Sequence, residues 1–249
     1  MRDHKQTTTA IIIPSYKELA ALPDFLNELT PLLSNSTALV IADDSPQEIF
    51  SELEHKVLSD EKLNSIQIIF THSAGKGGRG AAVKRGFAAA TKAFPNLAHV
   101  LECDADGSHL PIDVVNVLKH NPAFDMVIGS RYVSGSKISN WPRSRMLFSK
   151  ILNLIIPKML GLEIHDVTNG LRRYSIGCVK EIMAVESINS GFIYLSEQAL
   201  IVTRNRYSIR EVPIHFVNRV LGESTVTIRE ILKSISGIFS LLPYRIRRK

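Results

Sequence analysis

Alternation constrains this chain more than any other feature. From Thr9 to about Ser130, short β-rich runs take turns with longer stretches of helical periodicity. Ala10 to Ile13, Ala38 to Ala42, Ile66 to Phe70, His99 to Cys103 and Met126 to Ile128 read as strands. Leu19 to Leu33, Gln47 to Leu58, Ala81 to Phe94 and Ile112 to Lys119 read as the helices between them. Neighbouring parallel strands need a long crossover, usually a helix. The pattern therefore predicts an α/β fold, with a mostly parallel, Rossmann-like sheet flanked by helices. Each strand ends in a polar or glycine cluster, so these ends converge on one edge, where open α/β sheets bind ligands.

At 249 residues, 45% hydrophobic and 22% charged, the chain has material for one large domain with a packed core. Its net charge of +6 favours an acidic partner. Nucleic acid fits least, because the cations gather near apolar segments rather than along an aromatic-studded face. No apolar run reaches the roughly 18 residues that suggest a spanning helix. The N-terminus, Met1-Arg2-Asp3-His4-Lys5, lacks a signal-peptide cleavage pattern. Cys103 and Cys178, far apart in unlike contexts, read as reduced thiols of a cytosolic protein.

Asp104-Ala105-Asp106 follows the fourth apolar run. Two carboxylates one residue apart at a strand end suit a hard divalent cation, Mg2+ or Mn2+, which keeps waters and binds substrate phosphates as well. Gly75-Lys76-Gly77-Gly78-Arg79-Gly80 formally matches G-x-G-x-x-G, but Phe94-Pro95-Asn96 stands where a dinucleotide fingerprint needs an acidic residue. No G-K-[ST] is present. What remains is a cationic loop at a helix start, suited to phosphate or ribose. Asp43-Asp44-Ser45-Pro46 ends the second strand; Asp44 is expected to face the site and Ser45 to cap the following helix. Pro14-Ser15-Tyr16-Lys17-Glu18 ends the first strand, with Tyr16 placed to stack on a base. His72, His99, His120 and His215 lack metal-ligand spacing and read as local hydrogen-bonding groups, and Glu102 reads as structural.

The second half is organised differently. Met146 to Leu162 is strongly apolar, and Pro157 is expected to kink or end a helix there. Ile228, Ile231, Leu232, Ile235, Ile238, Phe239 and Leu242 recur at helical spacing before Arg245, Arg247, Arg248 and Lys249. That pattern fits a helix lying on a membrane surface, or one packed on the core with a solvated tail.

Together these motifs resemble the family-2 glycosyltransferases. Ile13-Pro14-Ser15-Tyr16-Lys17-Glu18 is similar to that family's first strand end, and Asp43-Asp44-Ser45 to its nucleotide-binding acidic pair. Asp104-Ala105-Asp106-Gly107-Ser108-His109-Leu110-Pro111 resembles the matching stretch of dolichol-phosphate mannose synthases. So do Gly129-Ser130-Arg131-Tyr132, the run from Asp166 to Tyr174 and the run from Glu211 to Ser224. The resemblance spans Ile11 to about Leu242. It implies one GT-A type domain over 1–249, with a nucleotide-sugar half at about 9–131 and an acceptor and membrane-facing half at about 132–249.

Carried over by position, the resemblance implies a nucleotide-sugar pocket of Pro14, Tyr16, Glu18, Asp44, Lys76, Asp104, Ala105, Asp106 and Arg131. Asp104 and Asp106 would meet the metal. Ser108, Arg143, Arg145 and Arg219 would bind the acceptor phosphate. Asp104, Asp106, Arg131, Arg219, Asp166 and Glu197 are the expected catalytic set. The reaction implied is inverting transfer of a sugar, mannose from GDP-mannose, to a dolichyl or undecaprenyl monophosphate. The enzyme would be peripherally bound to an anionic membrane surface, at the cytoplasmic face, through amphipathic helices of the C-terminal half. The Gly75 to Gly80 loop leans instead toward dolichol-phosphate glucose synthases. That keeps a UDP-glucose or other UDP-sugar donor, with a polyprenyl-phosphate or saccharide acceptor, as the alternative. A non-catalytic nucleotide binder at a membrane is the reading outside enzymes.

Overall fold

The computed structural model describes residues 7–75, 77–186, 191, 193–218 and 237–246. Thr9–Ser15 (β1), Thr37–Asp43 (β2), Gln67–His72 (β3), His99–Glu102 (β4) and Met126–Ser130 (β5) form the strands expected from the apolar runs. Between them lie Ala21–Leu29 (α1), Gln47–Leu58 (α2), Arg79–Ala93 (α3) and Pro111–Lys119 (α4). The first helix stops short of Leu33 because Pro31 has no amide hydrogen to continue it, and Thr30–Leu32 closes as a single 3-10 turn. Lys137–Ser139 (β6), Arg143–Leu160 (α5), Arg172–Ser175 (β7), Ile176–Ala184 (α6), Tyr194–Arg204 (α7), Ile209–Pro213 (β8) and His215–Val217 (β9) complete the order.

The main sheet runs β3-β2-β1-β4-β7-β5-β8, parallel except for β7, which lies antiparallel between β4 and β5. β6 pairs with β9 in a small second sheet. Alternate residues of β1 serve opposite faces of the main sheet, as the two-residue strand period demands. Ala10 and Ile12 pack with Val83 and Phe87 of α3, Ile156 of α5, Val179 of α6 and Ala199 of α7. Ile11 and Ile13 pack with Leu26 of α1, Leu53 of α2 and Val114 of α4. Gly86 lets α3 lie against β1, since a Cβ there would sit 2.3 Å from Ile12 Cγ2.

Pro157 falls in the last turn of α5, and the helix ends at Gly161, in the left-handed region at φ 75°, where the amides of Gly161 and Leu162 both donate to the Pro157 carbonyl. One expectation is corrected here. Ser45 does not cap α2. Its amide and hydroxyl both donate to the Asp43 carboxylate, and its oxygen accepts the Lys17 amide at 2.8 Å, so it ties the loop after β1 to the end of β2. A cap would need the Ser45 oxygen to accept from the first turn of α2, and that oxygen accepts the Lys17 amide instead.

Strand order decides where a site forms. From β1 the chain moves outward through β2 and β3, then returns to the other side of β1 to place β4. The loops after β1 and β4 therefore diverge, and a crevice opens at their carboxyl ends. The sequence puts Pro14 to Glu18 on one loop and Asp104-Ala105-Asp106 on the other.

Candidate active site

Asp104 and Asp106 stand on the loop after β4, both partly exposed, with Ala105 buried between them. Ser108 donates its amide to Asp106 Oδ1 at 3.0 Å, and Gly107 takes the positive φ of 74° that folds the loop back. The Ser108 hydroxyl oxygen is buried and has no partner among the described residues. His109, fully buried, braces this loop from beneath. Its Nδ1 accepts the Asp104 amide at 3.1 Å, which leaves the proton on Nε2 to donate to Asn169 Oδ1 at 3.0 Å. Asn169 passes the chain on to the Gly129 carbonyl. With Nδ1 acting as acceptor, the 3.9 Å approach of this ring to the Asp104 carboxylate is not an ion pair.

The acidic groups after β2 and β4 are gripped from α3. Arg85 binds Asp44 Oδ1 at 2.5 Å, and the Gly77 amide donates to Asp44 Oδ2 at 3.1 Å. Arg79 Nε donates to Asp104 Oδ1 at 2.8 Å, and Nη1 to Glu102 Oε2 at 2.6 Å. Arg79, read from sequence as a cation for phosphate, thus faces carboxylates. Pro14, next to last in β1, is in register with Ala42, while Tyr16 and Glu18 follow on the loop tied down by Ser45.

Arg131 follows β5 and is buried. It holds Asp166 in a fork, Nε to Oδ2 and Nη2 to Oδ1, both 2.8 Å, with Nη2 also on Thr168 Oγ1 at 2.7 Å. Asp166 is fully buried and accepts the amides of Arg131 and Asn169 as well. Burial alone would raise its pKa; the Arg131 guanidinium overrides this and holds the carboxyl below the usual range. The guanidinium carbon of Arg131 lies 5.5 Å from the Tyr132 ring, 5.4 Å from Trp141 and 5.3 Å from Phe216. Arg145, in the first turn of α5, sits over the same Trp141 ring at 4.3 Å and donates to Asn218 Oδ1 at 2.8 Å. Arg143 is exposed at the start of that helix.

The structure therefore gathers the Pro14 to Glu18 loop, Asp44, Asp104 to Ser108, Arg131, Asp166 and Arg145 around one sheet edge. Glu197 is placed otherwise. It lies on α7 and lines a cavity of about 290 Å3 with Val185, Glu186, Arg204 and Tyr244. Lys76 and Arg219 fall outside the described residues. Glu102, Tyr174, Tyr194, His109, Asn169 and Trp141 escaped sequence reasoning as site-forming residues. His109, Asn169 and Tyr174 lay inside the quoted motifs without a role of their own, and Trp141 is the single tryptophan. The expected histidine roles hold where a contact is seen: His72 reaches the Ser45 carbonyl and His215 the Ser139 hydroxyl, each at 2.7 Å.

Beside this edge, α5 shows Leu147, Phe148, Ile151, Leu154 and Ile155 to solvent. At helical spacing they form one continuous apolar stripe. A groove of about 560 Å3 runs along the helix from Tyr132 past Asn153 and Leu154 to Pro157 and Ile164, with Lys150 and Lys158 on its rim. Among the described residues no helix is long and apolar enough to cross a membrane. Most of the expected C-terminal amphipathic helix lies outside the described residues; 237–241 are helical, and Ile246 donates its amide to Leu160 at the end of α5.

Comparison with known proteins gives these features a context. Residues 10–182 match the model of Glycosyl transferase family 2. Polyprenol monophosphomannose synthase of Mycolicibacterium smegmatis is 32% identical over 232 residues, covering 92% of this chain and 85% of the relative. Undecaprenyl-phosphate mannosyltransferase of Micrococcus luteus is 34% identical over 218 residues, covering 87% and 86%. Among solved structures, glucosyl-3-phosphoglycerate synthase of Mycobacterium tuberculosis, in complex with Mn2+, uridine-diphosphate-glucose and phosphoglyceric acid, superposes with a TM-score of 0.62. At 15% identity, over 95% of this chain and 80% of that one, the likeness is one of fold.

Proposed function

The chain belongs to glycosyl transferase family 2, and on that premise we propose that it transfers a mannosyl group to a polyprenyl monophosphate, with GDP-mannose as donor. The observation that carries this reading is the pair Asp104 and Asp106 at the switch point of the sheet, facing an edge where Arg131 and Arg145 share one tryptophan ring. The two curated relatives, both named for mannosyl transfer to a polyprenyl phosphate, support the substrate class.

The residues fit a divalent ion that arrives with the donor. Asp104 and Asp106 present partly exposed carboxylates on the loop after β4, the hard oxygen ligands that Mg2+ or Mn2+ takes together with water and substrate phosphates. When bound, such an ion would neutralise charge on the diphosphate leaving group. Pro14, Tyr16, Glu18 and Asp44 line the nucleotide end, with Lys76 proposed to join them. Ser108, whose buried hydroxyl has no partner among the described residues, Arg131, Arg143, Arg145 and Arg219 take phosphate oxygens.

A phosphate monoester has a second pKa of about 6, so the acceptor oxygen is already largely anionic at neutral pH. A strong general base is unnecessary. Asp166 then acts as the positioning residue for Arg131, because both its oxygens are occupied by the guanidinium. Glu197 receives no step. Catalysis consists of holding two polyanions in line and stabilising the charge that builds on the diphosphate; direct attack inverts the anomeric centre. The acceptor's lipid tail stays in its bilayer, so the exposed stripe of α5 and its flanking cations lie in an anionic membrane surface. The division into a donor half at about 9–131 and an acceptor half at about 132–249 follows from this assignment.

The test is transfer of radiolabelled sugar from GDP-mannose, UDP-glucose and UDP-N-acetylglucosamine into lipid extract, using purified protein, polyprenyl phosphate and Mg2+. Label from GDP-mannose, reduced about 100-fold or more in Asp106→Ala, is expected. Label from a UDP-sugar alone overturns the donor, and no lipid label from any donor overturns the acceptor.

A further inference from the structure

Asp104 is tied to a buried polar anchor that ordinary donor binding does not require. Three nitrogens of the Arg79 guanidinium are engaged: Nε on Asp104 Oδ1 at 2.8 Å, Nη1 on Glu102 Oε2 at 2.6 Å, and Nη2 on the Gly170 carbonyl at 3.0 Å. Glu102, the last residue of β4, is fully buried. Tyr174 donates its hydroxyl to Glu102 Oε1 at 2.6 Å, and Tyr194 donates to Oε2. Burial, and then the neighbouring Glu102 carboxylate, push both tyrosine hydroxyls well above their ordinary pKa, so they remain donors. Gly170 completes the seat, because a Cβ there would lie 2.3 Å from Arg79 Nη2. The guanidinium plane has one orientation, set from three elements and a loop.

We propose that Arg79 is a positioning residue that presets Asp104 for the metal–diphosphate, with the Glu102–Tyr174–Tyr194 cluster as the anchor that presets Arg79. The charges of Arg79 and Glu102 cancel, so the anchor orients Asp104 without removing the net negative charge that Asp104 and Asp106 offer a cation. Only a planar fork can bridge a buried carboxylate, a partly exposed one and a carbonyl at once; a lysine ammonium is a single point. Carboxylates that ligate metals are oriented by such outer partners, and losing one typically lowers metal affinity about 10- to 100-fold.

The inference rests on the assignment of Asp104 and Asp106 to the metal and diphosphate, so the experiment separates the two. Mn2+ binding to the full chain is followed by electron paramagnetic resonance, with and without GDP, in wild type, Asp106→Ala and the double variant Arg79→Met with Glu102→Gln. The double variant conserves net charge and keeps one acceptor oxygen at position 102, for one of the two tyrosines, so the site's net charge is matched while the fork on Asp104 is lost. Expected are a large loss in Asp106→Ala and a fall of about tenfold or more in the double variant. A double variant within twofold of wild type, while Asp106→Ala loses binding, overturns the role of Arg79 and leaves the site assignment standing. Unchanged binding in Asp106→Ala overturns the assignment itself. If the double variant does not fold, Arg79→Lys is read in the same titration: the same fall is expected, and wild-type affinity overturns the proposal.

Discussion

Arginines brace both ends of the cleft, but in opposite ways. At the end proposed for the donor, Arg79 of α3 holds Asp104, whose side chain is 31% exposed and keeps a face to the cleft. At the other end Arg131 holds Asp166, which is 0% exposed, and the arginine itself lies among three aromatic rings. In the proposed reading the carboxylate works at the donor end and the arginine supports it, whereas at the acceptor end the arginine works and the carboxylate supports it. The same ion pair serves inverse roles according to which partner reaches the cleft.

The strongest test of that inversion is Asp166→Asn. It strands a buried guanidinium, and breaking a buried pair in this way costs about 3–5 kcal/mol of stability, read by urea unfolding at neutral pH. Mn2+ affinity at the donor end should stay as in wild type; a loss matching that of the Arg79 variants would break the division between the two ends. The pH dependence has a definite sign. Because Arg131 holds the Asp166 pKa below its unfolded value, the stabilisation is complete above the ordinary aspartate pKa of about 3.9 and is lost as pH falls through the folded value. The gap between wild type and Asp166→Asn should therefore be flat from about pH 5 to 7 and close at lower pH. A gap that closes on raising the pH from 5 to 7 contradicts the pairing.

A smaller effect is expected on the apolar stripe. Leu147 and Leu154 are 62% and 57% exposed on α5. Burying a leucine in an apolar phase is worth roughly 1.5–3 kcal/mol, so Leu147→Glu and Leu154→Glu should each weaken binding to anionic phospholipid vesicles about tenfold or more. GDP affinity should not change. Vesicle binding equal to wild type in both variants would remove α5 from the membrane contact. The smallest effect falls on the donor end. Ser45→Ala deletes the hydroxyl between Lys17 and Asp43 and should lower stability by about 1 kcal/mol, with a modest rise in the donor KM and little change in kcat. A larger fall in kcat than rise in KM would show that the loop after β1 serves the acceptor end too.

Local pattern accounts for one part of this molecule and three-dimensional closure for the other. The five strands and four helices up to Ser130 were readable because each buries an apolar face with its own period, so the residues announce the element. Their order also located Asp104, Asp106 and the Pro14 to Glu18 loop at one edge, since a switch point needs only the strand sequence. β7 was hidden. Arg172 and Arg173 open it inside the Asp166 to Tyr174 run, and both are buried because their guanidinium groups collect backbone carbonyls: Arg172 those of Val167, Asn169 and Leu195, and Arg173 those around the end of α4. Leu195 and the end of α4 are distant in sequence, and no local pattern foretells them. The same holds for Glu102, which meets Arg79, Tyr174 and Tyr194 from three separate elements. By itself, the sequence determined the α/β class, the ligand edge and the carboxylate pair, because these depend on periodicity and adjacency. Only the tertiary structure decided which arginine each carboxylate meets and which member of each pair faces the cleft. Those outcomes depend on burial, and burial exists only once distant segments have closed over one another.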